Sequence, residues 1–278
     1  IKLKIDSYIC FFYFLQNKMT DIEEVINGVD HLHLNNYYKK IKTDYPRIDD
    51  FFKEFMDYMK TTKSDNRKIK SFIRSLEKKY SIKPRNSTLI YLLKKHYQDD
   101  KSLWCGASSN IYYKCMLLLR SKATRSLSGI LQVAIMTDGK QLGCDEDCYF
   151  CPKQKNYPRS YLKEEPGTKR AEQEGFDPVK QTRNRLTSYT INGHDIDKLE
   201  IIIIGGTWSF YKPEYQEKFI TGIYYAANTW FHPRKEMYDL ETEQKINESA
   251  FVKIIGLSIE TRPDYILEKE VMSYIKFG

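Results

Sequence analysis

The chain has 278 residues, 41% of them hydrophobic and 29% charged, with 45 Lys and Arg against 37 Asp and Glu for a net charge of +8. This balance excludes a disordered tail and a multi-span membrane protein, and the length allows one large domain plus an appendage. The positive excess permits a polyanionic partner without demanding one.

In chain order, Tyr8 to Leu15 is an apolar run behind Lys2 and Lys4. It is too short to span a bilayer as a helix and no small-residue cleavage site follows, so no membrane anchor is expected. Met19 opens a polar stretch that reads as the initiator, which leaves residues 1–18 as an upstream translated or disordered segment. Residues 19–125 read as a helical, basic N-terminal region. Phe51, Phe52, Phe55, Met56 and Met59 fall at helical spacing, as do Ile69, Phe72, Ile73 and Leu76. Ser87 is placed to cap a further helix holding Leu89, Ile90, Leu92 and Leu93. Lys60, Lys63, Arg67, Lys68, Lys70, Arg74, Lys78 and Lys79 crowd this part with few acids between them. They suit a solvated helix face or a surface that contacts a phosphate backbone.

From residue 126 the pattern changes to parallel α/β, in which three apolar runs alternate with helices. The strands are expected at Ile130–Met136, Leu199–Ile204 and Val252–Ile259. Helices are expected from Pro178 to about Asn192, from Pro213 through Trp230, around Glu241–Ala250, and from Tyr265.

Six cysteines are present and three lie within eight residues, in the segment Cys144-Asp145-Glu146-Asp147-Cys148-Tyr149-Phe150-Cys151. Secreted disulfide proteins spread their cysteines, so a tight cluster points to a metal site in a reducing, cytoplasmic setting. Cys10, Cys105 and Cys115 read as buried or incidental thiols. Three thiolates at this spacing after a strand can hold three irons of a 4Fe–4S cube. The fourth iron is then open to the amino and carboxylate groups of S-adenosylmethionine (SAM). A structural zinc site is the rival, but it wants four ligands, usually as two separated pairs, and no second pair follows. Gly205-Gly206-Thr207 ends the second strand, where glycines allow close backbone approach and carbonyls can accept from the SAM ammonium. Glu260, ending the third, is placed to bind another polar part of SAM, or else to pair with Arg262.

Several segments together resemble one family. They are Arg125-Ser126-Leu127-Ser128-Gly129, the cysteine loop, Phe176-Asp177-Pro178 with Gln181-Thr182-Arg183, Gly193-His194-Asp195-Ile196-Asp197-Lys198, Gly205-Gly206-Thr207 and Ile259-Glu260-Thr261-Arg262-Pro263-Asp264. From about Lys78 onward the chain is similar to the catalytic, third subunit of Elongator. The resemblance implies a radical SAM (βα) barrel joined to an acetyltransferase domain. It implies acetyl-CoA as co-substrate and a carboxymethyl group built on C5 of the wobble uridine of tRNA. Under it the deoxyadenosyl radical takes a hydrogen from the acetyl methyl, and the carbon radical adds to the base. Lys198 matches a family lysine associated with acetyl-CoA, and the basic N-terminal region matches a segment implicated in tRNA binding. Elongator-like subunits or a separate C-terminal half are the implied protein partners.

Two departures stand out. The gap between the first two cluster cysteines is the short one of radical SAM enzymes at large. The chain also stops at Gly278 with about three βα units in residues 126–278, a partial barrel, and without the acetyltransferase domain. It therefore reads as a fragment, a broken gene or one piece of a split frame, inactive alone in full uridine modification. Two other readings fit the residues: another radical SAM tRNA modifier such as a methylthiotransferase, and a non-catalytic RNA-binding or assembly module.

Overall fold

The computed structural model describes residues 40–61, 65–99, 107–141, 144 and 146–278. The expectations for Met19, for the apolar run at Tyr8 to Leu15, and for Cys10 and Cys105 lie outside these residues. The chain divides into two compact units.

The helical unit comprises the described residues up to Gly129 together with Leu186–Ile196. Its helices are α1 (Ile48–Thr61), α2 (Asn66–Tyr80), α3 (Asn86–Asp99) and α4 (Ala107–Leu119). The expected apolar stripe of α1 is buried through Ile48, Phe51, Phe52, Phe55, Met56 and Met59. Asp49 and Asp50 in its first turn and Lys60 in its last complement the helix dipole. Asp65 caps α2 by accepting from Lys68 N at 2.9 Å, and Ser81 ends it in the left-handed region at φ 55°. Tyr58 of α1 stacks on Phe72 of α2 with ring centroids 3.9 Å apart. The outer face of α2 exposes Arg67, Lys68, Lys70, Arg74, Lys78 and Lys79, the last paired with Glu54 at 2.7 Å.

Two local expectations need correcting. Helix α3 begins at Asn86, so Ser87 lies inside its first turn rather than capping it; Thr88 N and Leu89 N already donate to Arg85 O. Helix α4 falls in the region read as helical but was not delimited there, and it buries Cys115, whose thiol is pushed up to about 12 by loss of solvent. That agrees with reading Cys115 as an inert buried thiol.

The sheet unit comprises Ile130–Arg185 and Asp197–Gly278. In order it contains β1 (Leu131–Met136), α5 (Pro166–Gln173), the first part of α6 (Pro178–Ile191), whose residues from Leu186 on belong to the helical unit, β2 (Lys198–Ile204), α7 (Pro213–Asn228), α8 (Leu240–Ser249), β3 (Lys253–Ile259) and α9 (Glu268–Phe277). The strands pair in parallel in the order β1-β2-β3, with Val133 opposite Ile201 and Ile201 opposite Leu257. The central strand β2 buries Leu199, Ile201 and Ile203. The sheet is open: β1 and β3 are edges, and the described strands are the three expected parallel ones, without closure. At the β1 edge the buried Gln181 amide accepts from Met136 N at 2.9 Å and donates to Met136 O at 2.8 Å. It thereby satisfies backbone groups that an edge strand leaves unpaired. The β3 edge is less protected, and Ile255 is 49% exposed.

Behind the sheet, the fully buried Glu243 accepts from Arg234 at 2.5 Å, from Asn228 at 2.8 Å and from Tyr238 N at 3.0 Å. Asn247 extends this network to Asn228 Oδ1, Val252 O and Ile254 N, which fixes α7 and α8 against the start of β3. A buried carboxylate needs this many partners to be tolerated.

Candidate metal centre and cofactor face

Ligands of parallel α/β sheets collect beyond the carboxyl ends of the strands. At that end of this sheet stand the cysteine loop after β1, Gly205-Gly206-Thr207 after β2 and Glu260 after β3. The structure thus brings together three of the sequence features that were read separately.

Cys144 and Cys151 are partly exposed, Cys148 is exposed, and all three thiols are free. A tight turn joins the last two, with Cys151 N donating to Cys148 O at 3.1 Å. Each of these two sulfurs faces a polar neighbour. Arg262 Nη1 donates to Cys148 Sγ at 3.6 Å, and Ser160 Oγ lies 3.2 Å from Cys151 Sγ. Between them Tyr149 and Phe150 stand almost wholly in solvent. Arg159 donates to Glu146 O, and Lys153 pairs with Asp147 and holds its carboxyl below the usual range. The donor set suits an iron–sulfur cluster in kind: three free thiols on one loop, two of them facing hydrogen-bonding partners. Among the described residues, however, no three His, Cys, Asp or Glu side chains converge closely enough to hold a metal ion.

The glycine pair is shaped by packing. Gly205 has φ +126° and Gly206 φ +92°. A Cβ on Gly205 would stand 2.1 Å from Thr137 Oγ1. The Gly205 carbonyl accepts from Thr137 Oγ1 at 2.9 Å and from Tyr211 OH at 2.6 Å, so two hydroxyls fill its lone pairs. The Gly205 carbonyl, expected to be open to a SAM ammonium, is therefore already occupied. Burial raises the Tyr211 phenol to about 12, so it stays protonated and can donate. Thr207 is buried and begins the short turn Trp208–Phe210.

Glu260 does not pair with Arg262, the alternative left open by the sequence. Its carboxylate accepts from Tyr161 OH at 3.0 and 2.9 Å and from Gly205 N at 3.3 Å. Burial and the Glu260 carboxylate together push the Tyr161 phenol upward. Arg262 instead forms a two-pronged pair with Asp264, Nε to Oδ1 at 3.0 Å and Nη2 to Oδ2 at 2.6 Å. Lys198 lies elsewhere. It is exposed at the amino end of β2, opposite Lys253. A strand of this length separates it from Gly205 by roughly 20 Å.

Thr137, Tyr161, Ser160 and Tyr211 were not singled out from the sequence. The Tyr161–Glu260 contact spans 99 residues, and no local spacing announces it.

No family model matches the chain. A tRNA uridine(34) acetyltransferase of Methanocaldococcus infernus is 40% identical over 166 residues, covering 58% of this chain and 30% of that protein. Another, from Dehalococcoides mccartyi, is 38% identical over 157 residues, 56% of this chain and 33% of that one. Elongator complex protein 3 of mouse is 31% identical over 180 residues, 60% of this chain and 32% of its own length. The chain is similar to part of each of these proteins. It spans about a third of the length of each. A solved structure, the archaeal Methanocaldococcus infernus Elp3 with an N-terminal deletion, is 34% identical with a TM-score of 0.40, covering 54% of this chain and 27% of that one.

Proposed function

We propose that this chain supplies the cluster- and SAM-binding part of a cytoplasmic enzyme that modifies uridine 34 of tRNA. The supporting observation is the placement of the cysteine loop, the glycine pair and Glu260 at one end of a parallel sheet, in a chain similar to part of tRNA uridine(34) acetyltransferases. Cys144, Cys148 and Cys151 would hold a 4Fe–4S cluster and leave one iron for SAM. When bound, the cluster supplies the electron that cleaves SAM to a 5′-deoxyadenosyl radical. The protein's own residues hold and orient. Gly205 turns the chain at the end of β2, with Thr137 and Tyr211 locking that turn. Tyr161 and Gly205 N hold the Glu260 carboxylate at the third strand end, ready for a polar group of SAM. The three βα units are read as part of a radical SAM barrel, and Lys198 as a contact for acetyl-CoA as co-substrate. The exposed basic face of α2 suits tRNA phosphates. Elongator-like subunits are the proposed protein partners. No helix among the described residues is long and apolar enough to cross a membrane.

The test is genetic and chemical. Deleting the gene in its native cell should remove C5-carboxymethyl-type uridines from the wobble position, read by mass spectrometry of nucleosides from purified tRNA. An unchanged nucleoside profile would rule this function out.

A further inference from the structure

The segment Asn156-Tyr157-Pro158-Arg159-Ser160-Tyr161 touches the carboxyl end of each of the three strands. At β1, a Cβ on Gly139 would collide with the backbone of Tyr157 and Pro158, so the segment lies directly on the turn that follows that strand. At β2, Pro158 is buried, and a Cβ on Gly205 would stand 3.3 Å from the proline Cβ. At β3, the Tyr161 hydroxyl donates to the Glu260 carboxylate, 3.0 and 2.9 Å from its two oxygens. The Tyr157 and Tyr161 rings pack on the cluster of Met136, Ala171 and Phe176, and Met136, the last residue of β1, is only 1% exposed.

The segment is held unevenly. Its inner part is packed on both glycine turns and tied to α5 by Tyr157 OH on Glu172 at 2.5 Å. Its outer end hangs on the Tyr161 hydroxyl, and Glu260 is itself exposed, so a polar group from solvent can compete for that carboxylate. Asn156 and Ser160 stand in the left-handed region at φ 69° and 74°. That backbone is unfavourable for a residue with a side chain and persists while the surrounding contacts enforce it.

We propose that residues 156–161 are a lid over the carboxyl end of the sheet, with the Tyr161–Glu260 contact as its latch. Its purpose rests on the cofactor-face reading above, since ligands of such sheets collect at the strand ends and this segment lies across them. Releasing the latch lets the segment lift as a local unit while the strands stay paired. Closing it returns the Tyr161 hydroxyl to its hold on Glu260.

Two measurements test the lid without metal, SAM or tRNA, so its failure is distinct from failure of the tRNA function. The first is oxidation of methionines by dilute hydrogen peroxide, read by peptide mass spectrometry. Met272, 61% exposed, and Met56, 2% exposed in the helical unit, are the fast and slow references. Tyr161→Phe removes only the latch hydroxyl. Met136 oxidation should then rise by roughly tenfold, the scale of one lost hydrogen bond to a carboxylate, with Met56 unchanged. The second is hydrogen exchange of the wild-type chain in rising urea. The amides of Tyr161 and Lys163 donate to Pro158 O at 3.2 Å and Gln154 Oε1 at 2.7 Å. They should exchange through an opening that low urea leaves unchanged, well before the amides of Ile201 and Ile203 in β2. Met136 oxidising at the wild-type rate in Tyr161→Phe would overturn the proposal. So would Tyr161 and Lys163 amides that exchange only when the sheet unfolds, a result that holds whether or not the variant folds.

Discussion

Gly205→Ala is expected to cost about 3 kcal/mol or more of stability, measured by urea unfolding followed through the intrinsic fluorescence of the buried Trp208. Two penalties add. The backbone at φ +126° is one that an L side chain rarely adopts. The new methyl would also overlap Thr137 Oγ1 at 2.1 Å. Thr137 cannot simply yield, because its hydroxyl lies 2.9 Å from the Gly205 carbonyl and 2.7 Å from the Tyr211 hydroxyl, and it is 1% exposed. Adding Thr137→Ala relieves the overlap but not the backbone strain. The double variant should therefore recover only part of the loss. Full recovery would mean that the clash alone demands glycine, and no loss in the single variant would show the turn to be different.

Cys148→Ala should lower the iron retained after anaerobic reconstitution by more than about tenfold and abolish the broad cluster absorption. Cys148 is the exposed member of the trio and the one that Arg262 addresses. Losing it leaves two thiolates, too few to hold a cube with one open iron. Cys115→Ala is the matching control, since that thiol is fully buried in the helical unit and should leave iron content unchanged. Equal losses from the two substitutions would point to general destabilisation rather than ligation.

Much of the sheet unit was legible because its strands are uninterrupted apolar runs and its helices start at Pro178 and Pro213, where proline fits the first turn. The observed β1, β2 and β3 begin within one residue of their expected starts. The bounds of helix α4, inside the region read as helical, were not legible because its apolar residues, such as Tyr112, Met116 and Leu119, are mixed with a polar start, Ser108-Ser109-Asn110. Helix α5 escaped because eight residues give too few turns for a period to show. A partial barrel of about three βα units was expected from resemblance, and the described strands form an open three-stranded parallel sheet.

At the candidate site, residue types were readable and their mechanical reasons were not. Glycine at 205 was expected for the close approach of a ligand. Packing against Thr137 and Tyr211 already demands it, and it takes its carbonyl out of play. Glu260 was expected to serve SAM or Arg262, and of protein side chains it is Tyr161 rather than Arg262 that holds it. Such pairings depend on which loops the parallel topology brings to one end. Hydrophobic period and motif spacing carry no record of that.

The most direct measurement is reconstitution of the wild-type chain with iron and sulfide under strict anaerobiosis, followed by metal analysis and EPR of the reduced sample with and without SAM. The expected result is about four irons per chain and a reduced-cluster spectrum whose shape changes when SAM is added. About one zinc per chain with no iron, or an iron spectrum indifferent to SAM, would contradict a three-thiolate centre with a corner open to the cofactor.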